Sequence, residues 1–221
     1  MRNLVIFGDT HFSERLFKYI DFEKKDRVVA FTQEKKFITR DEILGKPVIP
    51  FEELREKLEV DFSIIIGIGY SNMNLLKKKI YLMCKDNDYD VASYLSSAAI
   101  VYAPEENIGE GTFVSPGVVI GPDCKMGVCT FIGAGSVLSH DVLCADFNFI
   151  SIGAVFGGFA KIGNCCFFGL HATIKDGISL ADKTIVGAAA NVLKSVEEEE
   201  CVLVGNPAKR LENRNSLNTK I

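Results

Sequence analysis

The stretch FIGAGSVLSHDVLCADFNFISIGAVFGGFAKIG, residues 131–163, sets Ile132, Leu138, Cys144, Ile150, Phe156 and Ile162 six positions apart. The register continues in both directions. Ile108, Val114, Ile120 and Met126 precede it at the same interval, and Phe168, Ile174, Leu180, Val186 and Val192 follow. All fifteen positions are apolar and no insertion breaks the series. At roughly one half per site, chance would give this on the order of once in 30,000 trials for a fixed frame. The residue after each is small at Gly109, Ser115, Gly121, Gly127, Gly133, Ser139, Ala145, Ser151, Gly157, Gly163, Gly169, Ala181 and Gly187, with Lys175 and Leu193 as exceptions.

A helix would carry a six-residue repeat steadily around its surface and could bury no single face. A coil of short strands and tight turns buries it, because each repeat stacks its apolar residue on the equivalent one in the next coil. Small residues then fall where the chain bends. The period therefore predicts a parallel β-helix from Ile108 onward.

The first ninety residues follow a different rule. Leu4 to Phe7 is an apolar run ending at Gly8, and His11 to Phe22 places Phe12, Leu16, Phe17 and Ile20 at helical spacing. Val28 to Thr32 reads as a second strand, Pro50-Phe51 as the start of a short helix through Leu58, and Phe62 to Ile68 as a third strand closing on Gly69-Tyr70. A helix from Asn72 to about Cys84 and a strand from Val91 to Leu95 complete this half. Alternation at this spacing predicts a small Rossmann-like parallel α/β sheet. The domains are read as 1–92, 93–212 and a loose tail 213–221. Ligands of such sheets sit past the carboxyl ends of the strands, here near Gly8, Asp9, Thr10, Gln33, Gly69 and Tyr70. The first strand is not followed by G-x-G-x-x-G, so a redox dinucleotide is not expected.

Composition narrows the function. With 25 Lys and Arg against 29 Asp and Glu, the net charge of −4 provides no basic footprint for nucleic acid or for an anionic membrane. The uncharged stretch Phe147 to Ala160 is too short and Gly-rich to span a bilayer, and Asp9 interrupts the opening apolar run too early for a secretory signal. The seven cysteines show no C-x-x-C pair and read as small apolar fillers in a cytoplasmic protein.

The repeats resemble those of the left-handed β-helix acyltransferases, in which three hexapeptides make one triangular coil, so fifteen would make five coils. The closing Val204-Gly205-Asn206-Pro207-Ala208-Lys209-Arg210 is similar to the ending typical of those enzymes. An α/β head before the coil resembles, more narrowly, the sialic acid O-acetyltransferase family, whose members include N-acetyltransferases of nucleotide-linked 4-amino sugars. The resemblance implies acetyl-CoA as co-substrate, no metal, a homotrimer with sites between subunits, and a sugar acceptor for surface-glycan synthesis.

It also implies site residues. The family's base is a His followed by an acidic residue, here His140-Asp141. An imidazole suits removal of a proton from an attacking amine or hydroxyl near neutral pH, and a carboxylate beside it raises its basicity. Asp141 serves only if the turn folds it back toward the ring. Gly158 matches a position whose N–H would face the developing oxyanion. Phe149, Leu170 and Ala188 match the cofactor-contact positions, although Phe149 stands where the family carries His and Ala188 where it carries Gly. Lys209 and Arg210 are either partners for CoA phosphates or ordinary solvated charges. In the head, Gly8-Asp9-Thr10-His11 and Gln33-Glu34 replace a Gly-His turn and an acidic pair, which weakens the match to a diphosphate. Gly69 to Asn74 with Lys77 reads either as an anion-binding turn or as a helix start capped by Ser71. His11 is either a phosphate contact or a plain helix-start residue, and His171 does not stack on His140.

Two rivals remain. A zinc hydratase on the same coil needs three imidazoles at a subunit boundary, and with His11 in the head only two are left. A sugar-nucleotide sensor or scaffold would keep the fold without the chemistry.

Overall fold

The computed structural model describes residues 1–219. The head carries a five-stranded sheet in the order β3-β4-β2-β1-β5, from β1 (Asn3–Phe7), β2 (Arg27–Gln33), β3 (Glu42–Ile43), β4 (Lys46–Pro50) and β5 (Ser63–Ile66). All pairs are parallel except β3 with β4. Helix α1 (His11–Glu23) buries Leu16, Phe17 and Ile20 on one side of the sheet. Helices α2 (Leu54–Lys57) and α3 (Leu75–Asp86) cover the other side through Leu54, Ile80 and Cys84.

Three expectations for the head change. The β3–β4 hairpin stands over 42–50, where the sequence predicts no strand, and its Pro47 and Pro50 are tolerated because each is paired on one side only, Pro47 with β3 and Pro50 with β2. Helix α3 starts at Leu75, after Asn72, Met73 and Asn74 take left-handed backbone angles, and Ser71 makes no side-chain cap. The strand expected over 91–95 divides. Val91 bridges Ile64 in the head sheet, while Tyr94–Leu95 pairs with Phe113–Val114 as the first rung of the coil.

The coil is a triangular prism of two-residue strands. One face runs from Tyr94–Leu95 through Phe113–Val114, Phe131–Ile132, Phe149–Ile150, Phe167–Phe168 and Ile185–Val186 to Val202–Val204. A second runs from Ile100–Val101 to Asn191–Val192, and a third from Lys125–Met126 to Ser179–Leu180. Every sixth residue points inward, and these side chains fill one continuous apolar core. The prism starts two rungs earlier than the period indicates. Leu95 and Val101 stand in register, and a seven-residue step around Glu105–Asn107 to Ile108 hides them. Inside the coil, Asn148 donates to the carbonyls of Ala145 and Gly163 at 2.7 and 3.0 Å and accepts from the Cys166 N–H at 2.7 Å.

The head rests on the first face through a ladder of rings. Tyr94, Phe113, Phe131, Phe149 and Phe167 stack with centroids 4.8–5.9 Å apart, and Phe12 and Tyr70 close on them from the head. Glu23 at the end of α1 latches the first rung, accepting from the Tyr94 hydroxyl, the Ser97 N–H and Ser96. Burial alone would raise the Glu23 carboxyl, but these donors outweigh it and hold it below the usual value. All seven cysteines are free and buried. The segment after Asn213, expected to be loose, is anchored as far as Thr219: Ser216 is buried and its N–H donates to the Glu200 carbonyl.

Candidate active site

His140 and Asp141 occupy the turn 139–142, at the corner between the second and third faces. Asp141 has φ 58°, a left-handed conformation that Asp tolerates better than most residues, and its N–H donates to the Pro122 carbonyl at 3.0 Å. That conformation folds the carboxylate back, so Oδ2 lies 2.9 Å from His140 Nδ1. A proton on Nδ1 held by Asp141 leaves the Nε2 lone pair free. The His140 side chain is half exposed, as a base that must meet a substrate requires.

The ring lies over Gly158, the same corner position one coil further on. A Cβ there would come within 2.6 Å of His140 Cε1 and 2.7 Å of Nε2, so the glycine is the slot that holds the imidazole flat on the corner. Phe159 meets the ring edge-on at 5.0 Å and 83°. Nε2, the Gly158 backbone and an exposed aromatic thus converge on one corner. Such a trio can take a proton and offer an N–H to nascent negative charge.

The opposite edge of the second face carries Leu170 and Ala188. With Ile152 they repeat at one corner position in three successive coils, and all three are exposed. His171, beside them, packs on Gly153 and is separated from His140 by the width of the face. Phe149 is only 8% exposed because Phe131 and Phe167 cover both sides of its ring. What remains uncovered borders a small cleft shared with Leu170. The outward positions of the second face, Ile100, Val119, Val137, Val155, Thr173 and Asn191, carry no charge, whereas the third face presents Lys125 and Lys161. Ile152, Phe159 and Leu170 stand exposed along the edges of that uncharged face.

In the head, Gly8 and Gly67 form the close approach at the strand ends. Gly8 has φ 129°, and a Cβ there would lie 2.8 Å from the Gly67 carbonyl oxygen. Gly67 had no place in the sequence reading; Gly69 lies further out against Phe12. Asp9 meets Thr39 Oγ1 at 3.4 Å, and Arg40 Nη2 donates to Glu14 at 2.7 Å and to the Asp9 carbonyl. Arg40 thus ties the Asp9 backbone to the Glu14 carboxylate, and its place depends on a loop that no motif marks. Thr10 precedes α1 without a side-chain cap, and His11 is fully exposed with Nδ1 3.3 Å from Glu14. Gln33 accepts from the Glu34 N–H at 3.1 Å, and Glu34 pairs with Lys36. Tyr70 is half buried against Phe149 and Phe167, and burial pushes its phenol up.

Two charges depart from expectation. Lys77 is not available to an anion: it is buried, its Nζ lies 5.4 Å from the Phe149 ring centroid, and desolvation lowers it to about 8. Arg210 pairs with Glu198, whereas Lys209 is exposed. Glu198 belongs to the acidic run 197–200, in which Glu199 and Glu200 hold Lys183. Among the described residues, no group of three His, Cys, Asp or Glu side chains could hold a metal ion, and no helix is long and apolar enough to cross a membrane.

No family model matches the chain. Solved structures do. The acetyltransferase domain of PglB from Neisseria gonorrhoeae superposes with a TM-score of 0.80 over 96% of this chain and 100% of that one, at 20% identity. PerB from Caulobacter crescentus, solved with CoA and GDP-perosamine, gives 0.79 over 96% and 98% at 23% identity. WeeI from Acinetobacter baumannii gives 0.66 over 96% and 100% at 20% identity. The chain has their fold. An α/β head set on a left-handed parallel β-helix is therefore the architecture of the chain; the period and the alternating head predict the two parts, and the family resemblance implies the left hand.

Proposed function

We propose that this protein transfers an acetyl group from acetyl-CoA to an amino or hydroxyl group of a sugar, with an amino sugar linked to a nucleotide as the acceptor. The observation that carries the reading is His140 held by Asp141 over the Gly158 slot, on a corner of this coil. The acceptor nitrogen adds to the thioester carbonyl carbon as Nε2 of His140 takes its proton. Asp141 stabilises the imidazolium, the Gly158 N–H faces the carbonyl oxygen as charge gathers there, and the C–S bond then breaks to release the thiol. The acyl group passes directly to the acceptor, with no covalent enzyme intermediate.

The site is completed by a second copy. His140 and the Leu170–Ala188 corner lie on opposite edges of the uncharged second face, so one chain cannot join them. Rotation about an axis parallel to the prism sets one copy's His140 edge against the next copy's Leu170 edge and covers Ile152, Val155 and Phe159, which supports a homotrimer. The pantetheine arm runs along Leu170 and Ala188 in that seam, and Lys209, which makes no ion pair among the described residues, remains for the phosphates. The nucleotide lies at the strand ends by Gly8, Gly67 and Gly69, where Arg40 is tied to the Asp9 backbone carbonyl and to Glu14. The bound CoA and GDP-perosamine of the Caulobacter structure agree in class with this assignment. The compartment that fits is the cytoplasm, where both substrates are made.

The test is release of free thiol from acetyl-CoA in the presence of GDP-, UDP- and dTDP-linked amino sugars, for the native protein and His140→Ala. Release with at least one acceptor, lost in the variant by a factor of about 10²–10⁴, supports the reading. Affinity for a sugar nucleotide without His140-dependent thiol release would instead identify a binding protein.

A further inference from the structure

A second imidazole stands at the other edge of the face that carries His140. His171 belongs to a corner column that recurs every eighteen residues, Gly117, Gly135, Gly153, His171 and Ala189, with left-handed φ angles of 72°, 68°, 71°, 54° and 55°. It is the one member of that column with a polar side chain. Its ring lies over Gly153, where a Cβ would come within 2.6 Å of Cε1 and 2.7 Å of Nδ1. Residue 171 is exposed. Its ring enters no hydrogen bond or ion pair among the described residues, whereas His140 is held by Asp141 at 2.9 Å.

Gly153 and Gly158 flank the same rung of the second face, Val155–Phe156. His140 reaches that rung from the coil before it, and His171 from the coil after it. The two imidazoles thus stand at opposite edges of one rung, within about one strand spacing of 4.8 Å along the prism. In a single chain the width of the face keeps them apart. Rotation about an axis parallel to the prism leaves every rung at its own height. The seam that sets one copy's His140 against the next copy's Leu170 therefore also sets it level with that copy's His171. On the transferase reading, which this inference needs, a thioester lying along Leu170 and reaching His140 passes between the two rings. We propose that His171 of the adjacent copy is a catalytic residue of this site, its neutral imidazole donating an N–H to the thioester carbonyl oxygen as a second donor beside the Gly158 N–H. No proton leaves His171. The acceptor's proton goes to His140 as the C–N bond forms, and the departing thiolate takes that proton as the C–S bond breaks.

The test compares thiol release by the native protein, His140→Ala, His171→Ala, and an equal co-expressed mixture of the two variant chains, with an acceptor that the native protein uses. Ala189 holds the same left-handed angle one coil on, so His171→Ala leaves the backbone as it is. The expected result for His171→Ala is a loss of about 10²-fold in kcat with KM for acetyl-CoA little changed. The mixture should recover about a quarter of the native rate, the share of sites in a randomly assembled ring that pair an intact His140 with an intact His171 of the next copy. His171→Ala working at the native rate overturns the proposal. So does a loss carried by KM rather than kcat, as damage to the seam would give. A mixture no more active than its components, as a His171 serving its own chain's His140 would give, overturns it too. If the native protein releases no thiol with any acceptor, the transferase reading falls and the proposal with it.

Discussion

Replacing Gly158 by Ala adds one methyl group directly beneath the His140 imidazole. The new Cβ would sit 2.6 Å from His140 Cε1 and 2.7 Å from Nε2, against ordinary contact near 3.4 Å. The ring must withdraw by about 0.8 Å, and a displacement of that size at a reacting group costs about 10²-fold in rate. The backbone does not resist the change, because Gly158 is absent from the positions of positive φ. The displaced atoms belong to a half-exposed side chain that can swing outward. Loss of glycine's freedom in the unfolded chain stabilises by about 0.4–1 kcal/mol, which offsets the local crowding. Gly158→Ala should therefore lose about a hundredfold in kcat while its melting temperature stays within a few degrees of native. Thiol release and thermal unfolding on the same preparation read both quantities. Full activity in Gly158→Ala would refute the idea that ring position at this corner matters. A fall in stability of more than about 3 kcal/mol would show that Gly158 serves packing instead.

Lys77→Met should stabilise the protein by about 1–3 kcal/mol at pH 7, because a fully buried ammonium gives way to an apolar chain of similar length. The folded amine is lowered from 10.5 to about 8, so its penalty is complete below pH 8 and fades as pH rises toward 10.5. Denaturant melts at pH 7 and pH 10 should thus show the gap closing, and a constant gap would contradict it. Asn148→Ala strands the Cys166 N–H and two carbonyls inside the coil, and should cost about 2–4 kcal/mol by urea unfolding. Val155→Glu puts a carboxylate on the uncharged second face; light scattering should show smaller species, with activity lost although each chain stays folded.

The coil was legible because every hexapeptide repeats the same local requirement, an inward apolar residue followed by a bend. Where that requirement is interrupted, at the seven-residue step before Ile108, the reading starts two rungs late. Aromatic residues at Phe113, Phe131, Phe149 and Phe167, eighteen apart, were an available signal for the face that meets the head. The head was less legible because its irregular pieces are fixed by tertiary contact. Leu44 at φ 49° in the β3–β4 turn carries no turn signature, and nothing near Lys77 in sequence marks its burial under Phe149. His140 and Asp141 were legible as neighbours in sequence. The Gly158 slot fixes the ring orientation through coil stacking eighteen residues away.

The central claim is that one copy's imidazole serves a thioester seated on the next copy's corner. A crystal structure of the protein with CoA bound measures it directly. The account predicts the sulfur beside Leu170 of one copy, with Nε2 of His140 from the adjacent copy close enough to reach an acceptor nitrogen placed there, about 3 Å from it. A CoA sulfur far from every His140 in the assembly, or a protein that crystallises and scatters light as a single chain with its second face in solvent, would contradict it.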